Sequence, residues 1–137
     1  MQDFRKLRVW HLARDLELRV INGITPQAAR RVPGLRAQAI RAAGSVSANI
    51  VGGCGRPLQT EFLQFLGTAL ASLNELQKHL MTASDAQILS SKVSSALHRT
   101  LEVERRMLIA LMRTLQEHVA HNENDRRDSV NGANKRG

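Results

Sequence analysis

The sequence predicts an all-α protein: an up-down-up-down antiparallel four-helix bundle with a disordered C-terminal tail. Three observations predict it. Leu and Ala, both strong helix formers, dominate the chain, and β-branched runs are absent. Apolar residues recur at steps of three and four in four separate stretches. The breaks between those stretches are short, which makes consecutive helices antiparallel neighbours. At 137 residues the chain forms one domain, large enough to hold a core without metal or disulfides. We place the bundle in residues 1–121 and the tail in 122–137.

The first helix is expected over about residues 6–24. Val9, Ala13, Leu16, Val20 and Ile24 lie on one face, with Trp10 and Leu12 beside them. Thr25-Pro26 ends it, because the residue before a proline avoids the helical region. Residues 25–33 form a linker that carries Arg30 and Arg31.

The second helix is expected over about 34–51. Leu35, Ala39, Ala42, Val46 and Ile50 mark its buried side, and Arg36 and Arg41 stand off it. Gly44, Ser45 and Ser47 weaken an isolated helix, so packing must hold this one. Gly52, Gly53 and Gly55 are expected to end it, since a glycine adopts the left-handed C-terminal conformation at little cost.

The third helix is expected to open at Pro57 and reach about Thr82. Phe62, Leu66, Ala69, Leu73, Leu76 and Leu80 form an unbroken 4-3-4-3-4 seam. With the hairpin centred near 54, Ala43 and Gly44 stand level with 64–68, where Gly67 and Ala69 are also small; this predicts close packing of the second and third helices. After a connection at 83–89, Ser90 or Ser91 caps the fourth helix. Its stripe is Val93, Leu97, Leu101, Leu108, Leu111 and Leu115, running to about residue 120. Glu104 interrupts that stripe and is expected to pair with an arginine or lie at a subunit contact. The polar, Asn/Asp-rich stretch from Asn122 has too little apolar surface to offset the entropy of ordering.

The net charge of +8 is uneven. Residues 1–56 carry ten cations, nine of them Arg, against three acids; residues 57–137 carry ten against nine. A basic half of this kind attracts polyanions, above all nucleic acid, and the guanidinium fork suits phosphate. We take Arg36, Arg41 and Arg56 as candidate nucleic-acid contacts, helped by Lys6, Arg8, Arg30 and Arg31. With few aromatics to stack on bases, such binding would read charge and shape.

Catalytic chemistry is not expected. Cys54 has no adjacent His or acid and reads as a structural thiol in a reduced, cytoplasmic setting. His118 and His121 share a helix face but lack further ligands, so neither a metal nor a cofactor is expected. Ser45 and Ser47 have no His/Asp partners in sequence. The Gly52–Gly55 corner lacks the Lys-Ser/Thr ending of a phosphate loop. The charged N-terminal stretch is not expected to act as a signal peptide, and no apolar run approaches the length of a membrane span.

Several motifs together resemble a known family. They are Phe4-x-x-Leu7-x-Val9-Trp10-x-x-Ala13, Gln38-Ala39-Ile40-Arg41-Ala42-Ala43-x-Ser45-Val46, Asn49-Ile50 and Gly53-x-Gly55-Arg56. Glu61-Phe62-x-x-Phe65-Leu66, Ala69 and Ser72-Leu73-x-Glu75-Leu76 continue the likeness. Over about residues 4–115 the chain resembles the four-helix-bundle proteins encoded in intervening sequences of 23S rRNA genes. That family is itself similar to the accessory variability protein of diversity-generating retroelements. The resemblance implies a bacterial, homo-oligomeric, left-handed bundle, a pentameric ring. In the retroelement relatives it implies binding of structured RNA and of a reverse transcriptase. The chain departs from the family pattern at Ser47, where Pro is usual, at Gly52, where Glu is usual, and at Leu58, where a capping Ser is usual. Two functional expectations follow: a non-catalytic, homo-oligomeric RNA-binding bundle, or a protein-interaction scaffold, such as a reverse transcriptase accessory subunit, without RNA binding of its own.

Overall fold

The structure, a computed structural model, describes residues 2–136. It contains α1 (Arg8–Gly23), α2 (Leu35–Cys54), α3 (Gln59–Asp85) and α4 (Ser91–Lys135), with short 3-10 turns at Phe4–Lys6 and Ala28–Arg31. The helices alternate in direction, and α1–α2, α2–α3, α3–α4 and α1–α4 pack as neighbours, closing a four-helix bundle. The α2–α3 contact is the most extensive.

The predicted stripes supply the core. Val9, Ala13, Leu16, Val20 and Ile24 of the first stripe are buried, as is the whole α3 seam from Phe62 to Leu80. On α4, Leu97, Leu101, Leu108 and Leu115 are buried; Val93, expected among them, is 41% exposed because it sits in the first turn, above the packed layers. Ser90 caps α4 as expected, its Oγ accepting the Val93 N–H at 3.2 Å. At the start of α2, Gly34 adopts φ +86°, a left-handed conformation that glycine adopts without strain.

The α2–α3 corner differs from its expected form. Gly52 and Gly53 are helical, α2 runs on to Cys54, and Gly55 has a right-handed φ of −79°. The glycines serve packing instead of a left-handed cap. A Cβ at Gly52 would lie 2.7 Å from the Phe65 ring, and one at Gly53 would lie 2.7 Å from Phe62 Cδ1. Pro57 stands outside α3, which starts at Gln59 after an uncapping Leu58. The hairpin is therefore centred further along the chain. Ser45 Oγ meets Ser72 Oγ at 2.7 Å and Gly52 faces Phe65, so the midpoint falls between 58 and 59. Gly44 faces Glu17 of α1, and nothing lies within 4 Å of a Cβ built on Gly67; the small residues do not pair at the level expected.

The second correction concerns the tail. Residues 122–135, expected to be disordered, continue α4 as helix, and every one of them is exposed. Lack of burial alone does not prevent helix here. Once residues 91–115 have nucleated a helix, each further residue gains a backbone hydrogen bond without a new nucleation cost. Residues 116–135 hold no proline and one glycine, Gly132. An i,i+4 pair of His121 with Asp125 at 3.4 Å supports the extension.

Candidate nucleic-acid interface

The seven candidate cations do not form one patch. α2 spans about 30 Å at 1.5 Å per residue; six of the cations stand towards its two ends, and Arg41 stands between them. Arg30, Arg31 and Arg36 lie where α1 hands over to α2; Lys6, Arg8 and Arg56 lie at the opposite end. There the N-terminal segment is tied to the α2–α3 corner by the Gln2 N–H donating to the Cys54 carbonyl at 3.1 Å.

Their guanidinium groups are committed to different degrees. Arg36 Nε donates to the Ile24 carbonyl at 2.8 Å and Nη2 to the Ile21 carbonyl at 3.3 Å. It is half-buried and caps the C-terminus of α1, where orphan carbonyls and the helix dipole favour a cation. Arg31 Nη2 donates to the Ala86 carbonyl at 2.5 Å, joining the linker to the α3–α4 turn. Arg56 lies 3.8 Å from Glu61 and 4.9 Å from the centroid of the Phe65 ring, a cation–π geometry. Lys6, Arg8, Arg30 and Arg41 are exposed, with no ion pair among the described residues. Arg8, with His11 and Asp15, also borders a groove between α1 and α4 whose apolar part is Leu12, Val103 and Met107.

Arg41 lies in a cleft of about 440 Å³ between α2 and α3. Gln38, Arg41 and Ser45 come from one face of α2; Glu75, Lys78 and His79 come from α3. Lys78 and His79 were not among the residues expected from sequence. With the hairpin centre placed at 54, Arg41 is set against the wrong part of α3; with the centre near 58, it faces the Glu75–Lys78 level. His79 is 9% exposed and makes no hydrogen bond among the described residues. Burial, and then Lys78 beside it, push its pKa down, while Glu75 partly opposes them.

Two buried groups carry chemistry of a different kind. Glu104 neither pairs with an arginine nor reaches a surface. It is 0% exposed, both carboxylate oxygens lack a hydrogen-bond partner among the described residues, and burial pushes its pKa up to about 8. The neighbouring Arg105 bonds Glu102, Asn74 and Gln77 instead, on another face of α4. Burial likewise pushes the Cys54 thiol up, away from the reactive thiolate. Ser47 donates to Glu17 at 2.9 Å, so an α1–α2 contact stands where the family pattern has proline. Among the described residues no group of three or more His, Cys, Asp or Glu is placed to hold a metal ion, and no helix is long and apolar enough to cross a membrane.

The family profile described as 23S rRNA-intervening sequence protein matches residues 5–110. No curated protein matches the chain. Among solved structures, a protein of unknown function from the S23 ribosomal protein family of Bacteroides thetaiotaomicron superposes with a TM-score of 0.68. It is 17% identical, and the match covers 76% of this chain and 97% of that one. At that identity the likeness concerns the fold.

Proposed function

The chain belongs to the 23S rRNA-intervening sequence protein family, and from that premise we propose that it is a non-catalytic, homo-oligomeric bundle that binds structured RNA through arginine-bearing surfaces. One observation carries the reading: the basic half of the chain leaves Lys6, Arg8, Arg30 and Arg41 exposed without an acidic partner among the described residues. Isolated cations of this kind attract a phosphate backbone instead of serving internal pairs. Arg31 and Arg56 contribute field while held by their contacts, and Arg36 is assigned to structure. The cations stand at both ends of the bundle and, at Arg41, between them, which suits an extended RNA or several copies of the protein acting together.

Fluorescence anisotropy with a structured RNA over increasing salt tests this. Affinity should fall steeply, and Arg30→Ala and Arg41→Ala should each reduce the salt slope by about one. An affinity unchanged by salt overturns the reading. A second reading, a scaffold that engages a protein such as a reverse transcriptase, draws on the apolar part of the α1–α4 groove, in which Val103 is 47% exposed. Light scattering, with the 260/280 nm ratio taken after a high-salt wash, separates the two: a nucleic-acid-free oligomer that never binds RNA favours the scaffold.

A further inference from the structure

We propose that the cleft between α2 and α3 is a phosphate-binding site, with Arg41 and Lys78 as its cationic walls and His79 as a hydrogen-bonding group set deep in it. As to RNA being the source of the phosphate, the proposal rests on the reading above; as to phosphate itself, it stands alone.

The cleft is built by small residues. Ala39 and Ala42 are buried, and the contact of Ser45 Oγ with Ser72 Oγ at 2.7 Å fixes how closely the helices approach. The Asn49 amide donates to the Ser45 carbonyl at 2.7 Å and to its Oγ at 3.1 Å, which holds that serine in place. With the backbones close and the intervening side chains short, the longer side chains at 41 and 78 flank an open volume of about 440 Å³. That lies within the size range of small-molecule sites and exceeds what one phosphate fills, leaving room for the group that bears it.

The charges in the cleft select the ligand. Arg41 comes from α2 and Lys78 from α3, and neither makes an ion pair within 4.0 Å among the described residues. Glu75 is the one acid in the lining, so two cations face one anion. His79 is 9% exposed and lines the cleft, and its ring makes no hydrogen bond among the described residues, so its accessible nitrogens are open to a ligand from the cleft side. A guanidinium fork, an ammonium and a ring N–H carried by two different helices suit a tetrahedral oxyanion, which offers oxygens in several directions, better than a planar carboxylate. Burial first, and then Lys78, lower the basicity of His79 while Glu75 opposes them; an anion beside the ring would raise it.

The test uses the full chain and NMR of the His79 ring, assigned by comparison with a His79→Gln variant. Inorganic phosphate should shift this resonance where chloride at equal ionic strength does not. Arg41→Ala and Lys78→Ala should each weaken the response at least about tenfold, and Glu75→Gln should tighten it a few-fold. A hairpin RNA that produces the same shift and competes with phosphate identifies the RNA backbone as the source. Phosphate shifting His79 while RNA binds without moving it, or fails to bind at all, supports a site for free phosphate and removes the RNA reading from this cleft. Arg41 and Lys78 are surface side chains, so the variants keep the fold, which their amide spectra verify. No response of His79 to phosphate, or a response undiminished in both variants, overturns the proposal.

Discussion

Gly53 and Phe62 meet so closely that a Cβ on the glycine would stand 2.7 Å from Phe62 Cδ1 and 3.0 Å from Phe65 Cβ. The second distance matters more, because a Cβ is fixed by the backbone and cannot swing away. Gly53→Ala should therefore destabilise the bundle by about 1–3 kcal/mol, as overpacking does, despite the better helix propensity of alanine. At Gly52 the obstacle is the outer edge of the Phe65 ring, at 2.7 Å, and that ring is only half-buried. Gly52→Ala should cost less than Gly53→Ala. Urea unfolding of the two variants checks the order.

The same corner marks how far the sequence could be read. Helical spacing located all four helices, the α3 seam and the Ser90 cap, because periodicity and capping are local. The glycines looked like a helix stop, since a glycine required by a neighbour's ring has the same letter as one required by a left-handed turn. That ambiguity moved the hairpin centre by about four residues, one helical turn, and with it the partners of Arg41. The Arg41–Lys78–His79 cleft was thus hidden by a register error, although every residue in it was visible. The structural role of Arg36 is equally illegible in the sequence, because its acceptors are backbone carbonyls of α1, which no side-chain pattern reveals.

The extension of α4 gives a second prediction. Residues 122–136 are all exposed and add nothing to the core. Ending the chain after His121 should leave the melting temperature essentially unchanged while removing the helical signal of residues 122–135. Circular dichroism reads both. A large drop in melting temperature would mean that these residues contact something in solution, a second copy being the first to test.

Arg36 and Arg41 should separate stability from binding. Arg36 holds two carbonyls at the end of α1, at 2.8 and 3.3 Å, and hydrogen bonds to a charged group contribute about 1.5–3 kcal/mol. Arg36→Ala should lose stability of roughly that order. Its RNA affinity, measured where the variant is folded, should change less than that of Arg41→Ala. Arg41, exposed and without an ion pair among the described residues, should show the reverse: near-normal unfolding and weakened RNA binding. Both effects appearing in one variant would mean that the division drawn from the hydrogen bonds is wrong.

Glu104 should make the bundle more stable in acid. Its carboxyl is held in the core between the Leu101 and Leu108 layers with no partner among the described residues, and its pKa rises from the usual 4.5 to about 8 because the charged form is desolvated. For an acid raised on folding the sign is clear. Below about pH 4.5 both states are protonated and the group has no effect. Between 4.5 and 8 the unfolded chain gives up its proton while the folded chain keeps it, so stability falls as pH rises. At about 1.4 kcal/mol per pH unit the loss approaches roughly 5 kcal/mol by pH 8, where the folded form also ionises and the decline levels off. Glu104→Leu, similar in volume, should remove this slope and add on the order of 3 kcal/mol at pH 7. Glu104→Gln should remove the slope but retain an unsatisfied amide, and so stabilise less. Urea midpoints from pH 5 to 8.5 for the three proteins decide it: parallel curves would show that Glu104 finds a partner in solution, and a slope confined to the protein carrying Glu104 would show that the core holds it protonated.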